Sequence, residues 1–213
     1  CNQMNNDLDE AWFGRRDVFN TETVAENGAR TWTAANEPIE FPKSKGCGWH
    51  AYVEAPRLEI TCGEAPFVCS RYDTVTGDEL PVGKRVGLLD RKLRIVTEKT
   101  KTRKEWVRRA LDALRATYGF EYQGDNLLIA RTNVLETFVE HLRDRWGSDA
   151  EQDVQESVEL ERISRLHPVA GFKVGVVYNH MRLRYPVGVV VVVDDGYLVV
   201  AGEAQRPVAG ETC

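Results

Sequence analysis

Two stretches of the chain carry apolar residues at helical spacing. In "TRKEWVRRALDALRATYG" (102–119), Trp106, Ala110, Leu111 and Leu114 share one face. Thr102 stands at the cap position with Glu105 three residues on, the pattern of a capping box, and Gly119 can stop the helix. In "GDNLLIARTNVLETFVEHLRDRWG" (124–147), Leu128, Val134, Leu135, Phe138, Val139 and Leu142 build the apolar face. Asp125 or Asn126 is the expected cap, and Gly147 ends the helix. Between the two lies "FEYQ", a short strand. Upstream, "GWHAYVEAPRLEI" leads to a strand that ends in the turn "TCGEAPF". Residues 56–147 thus read strand, turn, helical or loop insert, helix, strand, helix. Alternation of that kind predicts an α/β fold, a parallel sheet with helices packed on it.

The flanks differ. Residues 1–45 are polar and turn-rich, with "RTWTA" and "IEF" as short candidate strands. "YDTVTGDELPVGKR" (72–85) carries Gly77, Pro81 and Gly83 and reads as an exposed loop or hairpin. "DAEQDVQESVELERISRL" is acidic and predicts a helix. Val189 to Val193, then Asp194-Asp195-Gly196, then Tyr197 to Val200 predicts a β-hairpin. No internal repeat or low-complexity tract is visible.

Composition narrows the function classes. Of 213 residues, 42% are hydrophobic and 29% charged, which fits a packed core rather than bulk disorder. A net charge of -5 argues against a protein that coats nucleic acid, so any DNA contact needs a local basic patch. No run of 18 apolar residues exists, so no membrane span is expected. The first residues have neither a basic nor an apolar leader segment, and position 1 is not Met, which suggests a fragment or a processed chain. A cytoplasmic location follows as the expectation. Five cysteines without a secretion signal read as reduced thiols. Cys47, His50, Cys62 and Cys69 can be read as zinc ligands, but the second cysteine pair is wider than a zinc knuckle, so no metal is expected.

The chemistry concentrates in "LEITCGEAPF" (58–67) and "TYGFEYQGDN" (117–126). In a doubly wound sheet the turn after one strand approaches a cofactor, and an acid at the tip of the next strand takes ribose hydroxyls. Gly63 lets the backbone come close to a ligand, Glu121 supplies two acceptors, and Glu59 holds the turn or meets a cationic group. A basic stretch, 84–109, includes Arg91, Lys92 and Arg94, which could follow a DNA backbone or form a solvated face. His50, His141, His167 and His180 are dispersed and read as structural or surface residues. No Ser/His/Asp grouping follows from their order, and Trp106, Phe138 and Trp146 read as core.

At these residues the chain resembles a known family. "RLEITCGEAPF", "SRYDTVTGDELPVGKRVGLLDRKLRIV", "YGFEYQGDNLLIARTNVLETFVEHLRDRWG" and "EAWFGRRDVF" look like the modification subunit of bacterial restriction-modification systems. Those are S-adenosylmethionine-dependent DNA adenine-N6 methyltransferases. The resemblance spans about residues 9–147. It implies the cofactor-binding half of a Rossmann-like methyltransferase sheet in 1–147, with a divergent extension, acidic helix plus hairpin, in 148–213. It implies S-adenosylmethionine bound by Glu59, Cys62, Gly63, Ala65, Phe67 and Glu121. DNA and a restriction or specificity subunit are the implied partners.

Two departures accompany it. The family holds its flipped adenine with an Asn/Asp-Pro-Pro-Tyr/Phe motif, and this sequence has no Asn-Pro, Asp-Pro or Ser-Pro dipeptide; "NEPIEF" is the nearest approach. The valine-rich tail also differs from the family's continuation, as a truncated or frame-shifted gene would make it. The expectation is therefore cofactor binding without turnover by this chain alone. A non-enzymatic DNA-binding or subunit-docking fragment, or a defunct remnant, is the alternative.

Overall fold

The computed structural model describes residues 2–148, apart from 27, 29, 74 and 75, and the backbone of three short strands beyond them. The chain is mixed α/β. Helix α1 (Asn2–Phe13) leads to an antiparallel hairpin of β1 (Asn20–Val24) and β2 (Arg30–Ala34). A short helix α2 (Trp49–Glu54) precedes β3 (Arg57–Ile60). After a long turn come α3 (Leu88–Lys99), α4 (Arg103–Arg115), β4 (Thr117–Phe120) and α5 (Gly124–Trp146). The remaining strands are β5 (Lys173–Gly175), β6 (Val190–Asp194) and β7 (Tyr197–Ala201).

β3 and β4 run parallel, with Glu59 opposite Gly119 and Ile60 opposite Phe120. Parallel neighbours need a long crossover, and α3 with α4 supplies it. β5 pairs parallel to the other side of β4, giving the order β3-β4-β5. β6 and β7 pair antiparallel as a separate hairpin, where the alternation around Asp194-Asp195-Gly196 places it. The acidic segment after Gly147 lies outside the described residues. Among the described residues, no helix is long and apolar enough to cross a membrane.

The α4 pattern reads through directly. Thr102 Oγ1 accepts the Glu105 N–H at 3.3 Å, and Trp106, Ala110, Leu111 and Leu114 are buried. Trp106 packs on Phe138 of α5 with ring centroids 5.6 Å apart. On α5 the buried stripe is Leu127, Ala130, Val134, Phe138 and Leu142, while Leu128 is 66% exposed. The helix begins at Gly124 with Gln123 as its cap, so Asp125 sits in the first turn instead.

The insert read as helical or loop contains the helix 88–99. Four expectations are corrected. Residues 2–13, read as turn-rich, form a helix. The strand expected at 120–123 is β4 at 117–120, and Gly119 lies inside it rather than ending a helix. Local hydrogen bonds decide this: Thr117 Oγ1 donates to Ala113 O at 2.8 Å, and Lys92 Nζ to Ala116 O at 3.1 Å. "IEF" forms no strand, because the Ile39 N–H donates to the Glu98 carboxylate at 2.7 Å and its carbonyl accepts from Lys99 Nζ at 2.9 Å. The fourth concerns thiols: Cys47 is disulfide-bonded, whereas Cys62 and Cys69 are free and buried.

α1 is tied to the rest by polar groups that its weak apolar pattern did not advertise. Asp9 accepts the Tyr52 hydroxyl at 2.6 Å and pairs with Arg91. Asn5 Nδ2 donates to the carbonyls of Phe67 and Val86. Phe13, Phe19, Phe41 and Tyr52 stack into an aromatic cluster beneath it, with centroids 5.2–6.1 Å apart.

Candidate functional site

The turn after β3 is built on three residues in the left-handed region: Thr61 (φ 56°), Gly63 (φ 53°) and Ala65 (φ 63°). Glycine adopts this conformation freely, but Thr61 and Ala65 adopt it at a cost of about 1 kcal/mol each. The surroundings hold them there. Cys62 N–H continues the ladder onto Phe120 O at 2.8 Å, and Ala65 N–H returns to Cys62 O at 2.7 Å. Ala65 O then accepts from Val68 and Cys69, and the Ala65 side chain is fully buried.

Glu121, at the end of β4, fastens this turn to the neighbouring strand. Its Oε2 accepts the Gly63 N–H at 2.6 Å, and its Oε1 accepts those of Tyr122 and Gln123 at 2.9 Å. The Gln123 amide is the largest cause of a Glu121 pKa held below the ordinary carboxylate value, with Gly63 and Tyr122 adding to it. Three of roughly four acceptor sites are thereby taken. A carboxylate so occupied has little left for two vicinal hydroxyls.

A cavity of about 720 Å³ opens above the turn. Glu59, Cys62, Gly63 and Phe67 line it, together with Glu64, Asp73, Asn133 and Trp32. A side chain grown from Gly63 would meet no atom within 4 Å, so this backbone is free to touch a ligand. A second cavity, of about 710 Å³, lies between α1 and β3 and shares Glu59, Thr61 and Phe67 with the first. Of the six residues implied for the cofactor, four line the first cavity. Ala65 lies under the turn, and Glu121 lies behind it, acting through Gly63.

Glu59 stands between the two cavities. Its Oε2 is buried with no hydrogen-bond partner among the described residues. Burial pushes its pKa up to about 7, offset in part by the Val68 backbone. Burial also pushes the Cys62 thiol up to about 12, helped by Glu59 and Glu121, so Cys62 is no nucleophile at neutral pH. Among the described residues, carboxylates are the only formally charged groups on the first cavity's wall: Glu59, Glu64 and Asp73, with no Lys or Arg. Such a wall favours a cationic ligand over a phosphate.

The structure also assembles groups that sequence order hid. Asp90, in the first turn of α3, accepts the Ser70 N–H at 3.0 Å on Oδ2 and lies 3.0 Å from His141 Nε2 on Oδ1. Ser70 Oγ accepts the N–H groups of Val86 and Gly87 at 2.6 and 3.0 Å. The carboxylate sits between the serine and the histidine: Ser70 Oγ donates to Asp90 Oδ2 at 3.5 Å, and His141 meets Asp90 rather than Ser70. This is a clamp on the cavity floor rather than a catalytic triad. Nearby, Glu140 pairs with both Arg71 and Arg85, and Asn133 accepts from Arg71 while donating to Glu64 O at 2.9 Å. The contacts join residues 16 to 69 positions apart, which no local pattern encodes.

The basic residues proposed for DNA are placed elsewhere than expected. Arg91 is 1% exposed and holds Asp9, Asn2, Asn6 and the Val86 carbonyl. Lys92 is 1% exposed and donates to the carbonyls of Ala55 and Ala116, capping the ends of α2 and α4. Arg94 is engaged by Glu98 and by the carbonyls of Phe19 and Glu37. The reading of Arg91 and Lys92 as DNA-facing is corrected, because their charges are spent inside the fold, while Arg94 is half-buried and engaged by Glu98 and two carbonyls. Cys47, His50, Cys62 and Cys69 do not converge either: among the described residues, no three His, Cys, Asp or Glu side chains are placed to share a metal.

Compared with protein-family models, with curated proteins and with solved structures, the chain shows no match.

Proposed function

We propose that this chain binds S-adenosylmethionine as the cofactor-binding part of a DNA adenine-N6 methyltransferase of a restriction-modification system, within a Rossmann-like sheet. The observation that carries this reading is the wall of the cavity beyond the carboxyl ends of β3 and β4. Among the described residues it presents three carboxylates, no Lys or Arg, and an unencumbered glycine. Open α/β sheets take ligands at this place, and the volume lies within the range of small-molecule sites.

The residues present fit the group. S-adenosylmethionine supplies an electrophilic methyl on a sulfonium and carries a net positive charge. Glu59 Oε2, buried without a partner, offers an acceptor to a cationic or N–H group. Phe67 and Trp32 offer aromatic surface for an adenine ring. Glu121 positions Gly63 rather than receiving the ribose with both oxygens. The chain lacks an Asn-Pro-Pro-Tyr motif to grip a flipped adenine, so the proposal is binding without turnover by these residues alone.

Isothermal calorimetry with S-adenosylmethionine tests this. Saturable binding is expected, weakened by Gly63→Leu, which fills the close-approach point, and by Glu59→Gln. Affinity should rise as pH passes 7 and Glu59 ionises. Absence of binding at millimolar ligand would overturn the reading and leave the non-enzymatic docking or DNA-binding alternative.

A further inference from the structure

Arg91 and Lys92 are internal and Arg94 is half-buried and engaged, but a second group of cations stands on a different surface. From Lys99 to Arg109 six cations stand against the single acid Glu105. The segment before α2 brings in Lys43 and Lys45. Three contacts lay these segments side by side. Lys99 reaches the Ile39 carbonyl and sits 5.8 Å over the Phe41 ring. The Arg109 guanidinium lies 5.8 Å over the Trp49 ring. Trp49 stacks on His50 with centroids 3.6 Å apart. Lys43, Lys45, Lys101, Lys104 and Arg108 are all exposed, and so is His50 at the outer end of the aromatic stack. Burial lowers the His50 pKa most and Arg109 next, while Glu54, which pairs with Arg109 at 3.0 Å, and Glu105 raise it ahead of the lowering by Arg108, so the imidazole stands within reach of both guanidiniums and of these two acids. None of these residues lines either cavity beside Glu59.

We propose that this face, formed by Lys43, Lys45, Lys101, Lys104 and Arg108 around His50, binds the phosphate backbone of a nucleic acid strand, with the His50 ring as a stacking platform for a base. Clustered cations on a chain of net charge -5 localise the field to one surface. An exposed ring amid them is what single-stranded nucleic acid uses and what an acidic peptide does not require. The inference does not rest on the cofactor reading, since the two surfaces share no residue.

The test is fluorescence anisotropy with labelled single-stranded and duplex DNA of equal length, between about 50 and 200 mM salt. Binding should weaken with salt. The combined variant Lys101→Glu, Lys104→Glu, Arg108→Glu should lose at least about tenfold in affinity and flatten the salt slope by about 3. All three side chains are exposed, and an acid in the first turn of α4 suits the helix dipole, so the variant keeps its fold. His50→Ala should weaken single-strand binding about fivefold or more and leave duplex binding unchanged. Undiminished binding by the triple variant, or no binding at the lowest salt, overturns the proposal. Equal affinity for polyglutamate overturns it in favour of an acidic protein partner. S-adenosylmethionine calorimetry on the triple variant should match the native chain, which keeps a failure of this surface distinct from a failure of the cofactor site.

Discussion

Gly87 is the position where one added carbon tests the architecture of the site most sharply. It caps α3 at φ -64°, a conformation open to any residue, so backbone strain is not at issue. Space is. A Cβ there would lie 2.4 Å from the Val68 carbonyl oxygen, 2.6 Å from Asp90 Oδ2 and 2.8 Å from the Ser70 nitrogen. Two of these atoms are backbone and the third belongs to the carboxylate that fixes Ser70 and His141. Gly87→Ala must therefore push α3 off the Val68–Ser70 segment. Overpacking of this kind costs about 1–3 kcal/mol. Losing the Ser70–Asp90 and Gly87–Ser70 hydrogen bonds adds about 1 kcal/mol each. The expected loss is about 3–5 kcal/mol. Urea unfolding followed by tryptophan fluorescence measures it, as a fall in midpoint of roughly 2 M for an m-value of about 2 kcal/mol/M. Gly83→Ala is the control, because a Cβ there meets nothing within 4 Å, and it should change stability by less than about 0.5 kcal/mol. Because Val86, Ser70 and Cys69 line the cavity, Gly87→Ala should also weaken its ligand. A Gly87→Ala chain within about 0.5 kcal/mol of native would refute the packing described for the α3 entry.

Two buried ionisable groups give stability an opposed pH dependence. Burial lowers the Lys92 pKa to about 7 from an ordinary 10.5, so between those values the unfolded chain binds more protons and stability rises with pH. Burial raises Glu59 to about 7 from 4.5, so the unfolded chain binds fewer protons there and stability falls as pH rises from 4.5 to 7. Urea midpoints should lose the rise between pH 7 and 8.5 in Lys92→Met and the fall between pH 5 and 7 in Glu59→Gln; unchanged profiles would contradict the burial of either group. Removing one partner of a buried ion pair leaves an uncompensated charge, so Arg91→Ala, which strands Asp9, and Glu140→Ala, which strands Arg71 and Arg85, should each cost about 3–5 kcal/mol in the same assay. Arg91→Ala should leave DNA affinity per folded molecule unchanged, and a specific loss of affinity would restore Arg91 to the DNA surface.

The sequence by itself determined the elements whose information is local. The α4 stripe of Trp106, Ala110, Leu111 and Leu114, its Thr102 cap, the long α5 and the valine hairpin all follow from spacing within a few residues, because helix and strand periods are properties of the backbone. The turn at Cys62–Ala65 was legible as a turn, since Gly63 marks it. Its partner acid Glu121 was legible as a residue of the next strand end. What that acid does was decided only in three dimensions, where Gly63, Tyr122 and Gln123 consume its oxygens. Within the basic stretch, Arg91 and Lys92 turned out internal for the same reason. Charge type is written in the sequence, but whether a cation meets solvent or a buried partner depends on contacts such as Arg91 with Asp9, 82 residues away. α1 stayed hidden because polar anchors, Asn2, Asn5 and Asp9, bury its inner face, and a hydrophobic period cannot report them. The Ser70–Asp90–His141 clamp and the carboxylate-lined cavity belong to the same class. They are assembled from segments that only the packing of α3 and α5 against the post-β3 turn brings together, because hydrogen-bond complementarity over long separations leaves no periodic trace along the chain.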